Sequence, residues 1–517
     1  MSAAALAGAG TPAQAGAPDR AAAPDRAGGG VTAGAHHRPG GPTRLQTPRP
    51  GGPGLGDSYY PDYGNSGYDV EHYDIRLSYD PATDRLSGTT TILARATQDL
   101  SRFNLDFLLD VSSVRVNGWT ATHTRAGDHE LVITPARAVG KDQRMTVVVT
   151  YSGIPSTVKY HGYTAWTRTA DGAEAVNEPE IAWWWYPSND HPRDKATFDV
   201  SVAVPNGVEV ISNGVQPRPP VAGPAGLTRW SWRSVKPQAP YLTYLVIGQY
   251  DIVTDTSPDG QPVINAYSAR LGDLEGAARA SVERTSEIVD WESTLFGPYP
   301  FEARGGVAGA PDGVRFALEA QTRPVYGAGF WRRGANTYVI AHENAHQWFG
   351  DSVSVADWRN IWLNEGFASY AEWLWSDEQG EGTAQQVFDY TYANYPADDP
   401  FWQVLPGDPG ADDLFDDAVY DRGAMTLHQL RLAVGDDAFF RILRRWTASR
   451  QYGNGTIEQF EALAERISGR DLTALFTTWL FTRGRPDLTG AAARTLAAPA
   501  QPKSWSKLRA ARELLTR

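Results

Sequence analysis

His342 and His346, with Glu343 beside the first and Glu365 nineteen residues beyond the second, are the side chains of this sequence best placed to do chemistry. On a helix, positions i and i+4 project from one face, one turn apart, so both imidazoles can reach a single metal ion. Zinc accepts imidazole nitrogen at about 2.0–2.1 Å, and three protein ligands leave a fourth position for water. Glu343 would lie beside that water rather than on the metal, which is where a general base is needed. The bland alternative is two histidines on a solvent-facing amphipathic helix, and the third ligand decides between the two. Asn336 or Thr337 can cap the first helix and Gly350-Asp351 can end it. Residues 352–358 can then return the chain to a second helix entered near Asn360. Glu365 would sit about one or two turns into that antiparallel neighbour, able to complete a tetrahedron. Glu372, seven residues on, shares its face and is either a partner for a ligating histidine or an exposed glutamate.

The elements that must position these residues fall into two kinds. From Asp69 to about Asp251 the sequence carries short alternating apolar runs, such as Tyr73-Asp-Ile-Arg-Leu-Ser-Tyr79 and Met145-Thr-Val-Val-Val-Thr-Tyr151. Turn signals such as Asn206-Gly207 and Asn213-Gly214 accompany them, which predicts an antiparallel all-β domain. Beyond about residue 272 the period becomes helical. The pattern predicts one long helix over 274–295 and two short strands around Pro311-Asp312-Gly313. Further helices are expected near 337–349, 360–376, 417–434, 437–447, 456–467 and 470–482. The organisation expected is therefore α+β and multidomain: a disordered tail or signal remnant (1–57), an N-terminal β domain (58–253), a mainly helical metal-binding domain (254–488) and a C-terminal tail (489–517), either a solvated helix or disorder, without assigned function. No internal repeat is present.

Composition narrows the function classes. A chain of 517 residues can bury two or three cores. A net charge of −13 argues against a nucleic-acid partner and suits cationic substrates. Cysteine is absent, which excludes a disulfide framework, a thiol nucleophile and a cysteine metal site. No apolar run reaches the roughly twenty residues of a membrane-spanning helix. The alanine-rich first fifteen residues end in Ala13-Gln14-Ala15, an A-x-A-like cleavage pattern, but lack a basic segment. They read either as the remnant of a signal peptide, which favours an extracellular location, or as a disordered tail.

His342-Glu-Asn-Ala-His-Gln-Trp-Phe-Gly350, the spacing to Glu365, and Trp362-Leu-Asn-Glu-Gly-Phe-Ala-Ser-Tyr370 together resemble the gluzincin aminopeptidases of the aminopeptidase N family. The resemblance runs over about 69–488. It implies a saddle-like β domain on a thermolysin-like catalytic domain, in a short form lacking the family's C-terminal helical domain. It also implies one Zn2+ per chain on His342, His346 and Glu365, with Glu343 as general base. Tyr420, in Tyr420-Asp-Arg-Gly-Ala, matches the family's catalytic tyrosine, a donor to the oxyanion. Glu319, in Phe316-Ala-Leu-Glu-Ala320, matches the glutamate that grips the substrate's free amine, although Phe316, Leu318 and Ala320 depart from the family's Gly, Met and Asn. Glu178 matches a second amine-binding residue, with Glu180 as a competitor.

The tryptophans at 183–185 read as domain packing or a substrate platform. The aspartates between 398 and 417 read as a solvated loop or a source of negative potential, and His428 as structural. The expected substrates are peptides with a free N-terminus. The rival readings are a thermolysin-like endopeptidase, which needs no amine anchor, and a catalytically silent zinc- or peptide-binding protein. The preferred first residue and the oligomeric state are not legible.

Overall fold

The computed structural model describes residues 47–488 and 499–515. Most of the expected N-terminal tail lies outside the described residues. Its last part is ordered, contrary to expectation. Arg49–Pro50 pairs in parallel with the strand Leu100–Asp106, and the buried Asp57 carboxylate accepts from the backbone N–H of Trp358 at 2.8 Å. Leu55 is the one aliphatic side chain of this segment apart from its prolines, so backbone pairing and one buried carboxylate contribute most of its order.

An eleven-stranded sheet dominates the first half. Near its middle, Tyr68–Asp80 pairs antiparallel with Arg85–Ala96, which pairs in turn with Arg144–Gly153. Alternate residues Tyr73, Ile75, Leu77 and Tyr79 are buried, as the two-residue period of a strand requires. The sheet is not wholly antiparallel. Ala196–Pro205 joins Tyr68–Asp80 in parallel, with Thr197 opposite His72. Parallel neighbours need a long crossover, and residues 154–195 supply it, carrying two strands of a separate four-stranded sheet.

A five-stranded sheet leads into the helical half. Tyr250–Thr256 and Pro262–Ser268 form its hairpin. The strands on either side of Pro311-Asp312-Gly313, Val307–Ala308 and Ala317–Leu318, do not pair with each other, because Val325–Tyr326 lies between them. The helix expected over 274–295 is two helices, α1 (Glu275–Val282) and α2 (Thr285–Phe296). At the break the Thr285 hydroxyl donates to the Val282 carbonyl, the local competition with helix bonding to which threonine is prone. Next come α3 (Tyr338–Ala345), α4 (Trp362–Glu378), α5 (Ala384–Asn394), α6 (Gly423–Val434), α7 (Asp436–Ser449), α8 (Ile457–Ser468) and α9 (Thr473–Phe481). The sequence reading missed α5, although Thr383 and Gln386 form a reciprocal capping box that announces it.

The C-terminal segment also departs from expectation. Trp505–Leu515 is a helix, α10, that buries Leu508, Ala511 and Leu515 in the helical core. Those positions fall at helical spacing, a signal masked by the basic residues between them. Among the described residues no helix is long and apolar enough to cross a membrane. The tryptophans at 183–185 are fully buried in the core of the β half.

Candidate active site

The site is built where α3 packs on α4. His342 in α3 and His346, the residue that caps its C-terminus, project on one side, and Glu365 meets them from the first turn of α4. His342 Nε2 lies 3.3 Å and His346 Nε2 3.5 Å from the same Glu365 oxygen, Oε2. All three side chains are buried. The other ring nitrogens are engaged: His342 Nδ1 pairs with Glu372 Oε1 at 2.7 Å and His346 Nδ1 with the Phe349 carbonyl at 3.0 Å. Glu372 is therefore a buried partner of a histidine, not an exposed glutamate. A proton held on each Nδ1 leaves both Nε2 lone pairs facing the shared carboxylate. Two imidazoles and one carboxylate around one point, each histidine held from behind, is a donor set that fits zinc.

The electrostatics agree with a compact charged site. Burial alone would raise the Glu365 carboxyl, but His346 and His342 beside it hold it well below the carboxylate range. Burial pushes Glu343 up to about 8 against the lowering pull of the two histidines. Glu343 Oε1 is buried without a hydrogen-bond partner among the described residues, as suits a carboxylate whose partner is a solvent or substrate atom.

Tyr420 lies in a turn of π-helix, Ala418–Arg422, that opens α6. Its ring stacks with that of His342, centroids 5.9 Å apart. Two glycines permit this approach. A Cβ on Gly423 would lie 2.9 Å from Gly366 Cα, and one on Gly366 would lie 3.1 Å from Gly423 Cα. The glycines of Asn-Glu-Gly and Arg-Gly-Ala thus meet where the tyrosine's turn crosses α4.

Glu319 follows the strand Ala317–Leu318, its carbonyl accepting from Gln347 Nε2 at 2.8 Å. Carboxylate oxygens of Glu178, Glu319 and Glu365 lie within 4.8 Å of one another, all three residues buried. Glu180, the competitor of Glu178, instead accepts from the Tyr63 hydroxyl at 3.0 Å. The 177–198 segment also clamps the two halves together. Lys195 Nζ donates to the carbonyls of Asp351 and Ser352 at 2.7 and 3.1 Å, and Arg193 Nε to that of Ala356 at 2.5 Å.

The sequence reading missed Arg512 of α10. It is buried, its guanidinium carbon 4.4 Å from the centroid of the Tyr420 ring, and its Nη2 lies 3.3 Å from Glu372 Oε1 and 3.4 Å from Asp421 Oδ1. No local signal marks it, because its partners lie about 90 to 140 residues back. His428 stands behind the site: its Nδ1 accepts from Tyr370 Oη at 3.1 Å and its Nε2–H donates to Gln385 Oε1 at 3.0 Å. Of the aspartates between 398 and 417, Asp398, Asp408, Asp412 and Asp413 are exposed.

A β-rich half followed by a helical half, with two helices bringing two imidazoles and a carboxylate to one point, is the architecture of the two-domain zinc metallopeptidases. The comparisons with known proteins agree. The Peptidase family M1 domain matches residues 331–479 and the Peptidase M1 N-terminal domain residues 69–242. The chain belongs to peptidase family M1, whose metal is zinc. Among curated relatives it is 25% identical over 461 residues to Aminopeptidase M1 of Arabidopsis thaliana, covering 80% of this chain and 50% of that protein. It is 30% identical over 337 residues to Aminopeptidase N of Streptomyces lividans, covering 59% of this chain and 38% of that protein. The chain thus spans half or less of the length of these relatives. Among solved structures, the M1 zinc metallopeptidase of Deinococcus radiodurans is 29% identical with a TM-score of 0.74, over 85% of this chain and all of that one. A mutant of that metallopeptidase has been solved bound to a Tyr-Ser-Ala substrate, with a TM-score of 0.74 at 28% identity, over 84% of this chain and 99% of that one.

Proposed function

We propose that the chain is a zinc aminopeptidase that removes the first residue of peptides with a free amino terminus. The observation that carries the reading is the trio of buried carboxylates, Glu178, Glu319 and Glu365, gathered beside the two histidines. A hydrolase acting on internal bonds has no use for Glu178 and Glu319 there, whereas a cationic α-amine offsets their charge.

His342, His346 and Glu365 would hold the zinc. Bound there, zinc supplies a Lewis acid that acidifies water and polarises a carbonyl. Glu343 takes the proton of the attacking water and returns it to the leaving amine. The Tyr420 hydroxyl donates to the substrate carbonyl oxygen as it gains negative charge. Glu319 and Glu178 bind the protonated α-amine and fix the cut one residue from it. Glu372 holds the His342 proton at Nδ1, and the Phe349 carbonyl holds that of His346.

The test compares free and N-acetylated forms of one substrate. A peptide α-amine has an ordinary pKa of about 7.7–8.0 and is mostly a cation near pH 7. Removing one partner of a partly buried charge pair costs about 2–5 kcal/mol, so Glu319→Ala should lower kcat/KM for the free peptide by at least tens of fold. The acetylated peptide should be a poor substrate of the native enzyme and insensitive to the substitution. Equal cleavage of both forms at internal bonds would favour the endopeptidase reading.

A further inference from the structure

Outside the active site, two carboxylates face each other across a buried strand pair. Leu100–Asp106 and Glu130–Thr134 pair antiparallel with Asp106 directly opposite Glu130, and both residues are buried. Like charges at directly opposed positions destabilise a sheet, and burial makes the repulsion worse. The turn before Glu130 brings the buried His129 to the same place, its Nε2 3.5 Å from Asp106 Oδ1 and 3.9 Å from Glu130 Oε1. The Asp62 carbonyl oxygen lies 3.2 Å from that nitrogen.

The cluster is not satisfied by the protein alone. Asp106 accepts from Asn65 Nδ2 at 3.1 Å and from the Asp190 N–H at 2.7 Å. Glu130 does not fare so well. No donor among the described residues reaches either of its oxygens at normal hydrogen-bond geometry, although the Asn104 side chain lies alongside. Two carboxylates against one imidazole leave the group negative even when the histidine is protonated. A second cation would remove the repulsion and engage the Glu130 oxygen that points at His129.

We propose that Asp106, His129 and Glu130, joined by the Asp62 carbonyl, bind a structural divalent cation. One imidazole nitrogen with carboxylate and carbonyl oxygens is a donor set suited to zinc or manganese. The cation does no chemistry on substrate. Asp106 also exchanges backbone hydrogen bonds with Ser188, at 2.9 and 3.1 Å, and the His129 ring lies 4.3 Å from that of Trp183. The site therefore fastens the 177–190 segment, which carries Glu178, to the large sheet.

The experiment counts metal in the full chain after removing the first site by His342→Ala together with His346→Ala. Metal-free protein is given zinc alone or manganese alone, desalted, and measured for bound metal and melting temperature. With one of the two cations it should retain about one equivalent and melt at a higher temperature, and Glu130→Gln added to that background should abolish both effects. The chain with its first site intact should hold two zinc or one zinc and one manganese, falling to one metal in Glu130→Gln or His129→Gln. That count stands if the double-alanine background fails to fold. Retention of neither cation in the background, or an unchanged metal count in both the Glu130 and His129 variants, overturns the proposal.

Discussion

Arg512 Nη2 and His342 Nδ1 converge on a single oxygen, Glu372 Oε1, at 3.3 and 2.7 Å. Helix α10 therefore braces the carboxylate that orients His342, a ligand of the proposed metal site. Loss of an outer partner of a ligating histidine typically costs about 10–100-fold in metal affinity or activity. Glu372→Gln should weaken zinc retention by about that factor, as read by competition with a chelating indicator. Arg512→Met leaves the carboxylate but removes its partner and the cation over the Tyr420 ring, so it should lower kcat more than it raises KM. An Arg512→Met enzyme with native kcat and native zinc affinity would make α10 a packing element only.

Glu343→Gln keeps the size of the side chain and leaves His342, His346 and Glu365 in place. Zinc content should be unchanged while turnover falls by about a hundredfold or more. Near-native turnover would remove Glu343 from the role of base.

Tyr420→Phe removes one hydroxyl and keeps the ring that stacks on His342. A lost oxyanion donor costs about 10²–10³ in kcat, so kcat should fall by roughly a hundredfold with KM little changed. A change confined to KM would make Tyr420 a binding residue.

Gly423→Ala should destabilise the protein by about 1–3 kcal/mol, the usual cost of overpacking. Its new Cβ would lie 2.9 Å from Gly366 Cα and 2.5 Å from the Trp362 ring. Because the strain falls at the turn that carries Tyr420, kcat should drop beyond what the loss of folded protein explains. Denaturant melts beside kinetics on the folded fraction separate the two effects.

Burial pushes the His428 imidazole down to about 3, while its ordinary value is about 6.5. The ring stays neutral in the folded state, accepting from Tyr370 and donating to Gln385. Between about pH 6.5 and 3 the unfolded chain binds a proton at this position that the folded chain does not. Its contribution to stability is complete above the ordinary value and is lost as pH falls through that window. Replacement by asparagine should make stability less steep in pH between 4 and 6, as measured by urea melts. An unchanged slope would place the proton uptake elsewhere.

The sequence by itself determined what is local. The four-residue step from His342 to His346 fixes a shared helical face, because helical periodicity is a property of neighbouring residues. The return to Glu365 could be read for the same reason, and alternating runs such as 73–79 announced strands. Tertiary structure decided whatever depends on elements docking at long range. Glu178 and Glu180 are two residues apart on one loop, and the fold turned one toward Glu319 and the other toward Tyr63. Gly366 meets Gly423, and Arg512 meets Glu372, across 57 and 140 residues of chain. Asp106 and Glu130 became opposite through strand register, which no residue type in either strand announces. Such contacts follow from how whole faces pack and pair, a choice made by the summed burial of many side chains and not by any short stretch of sequence.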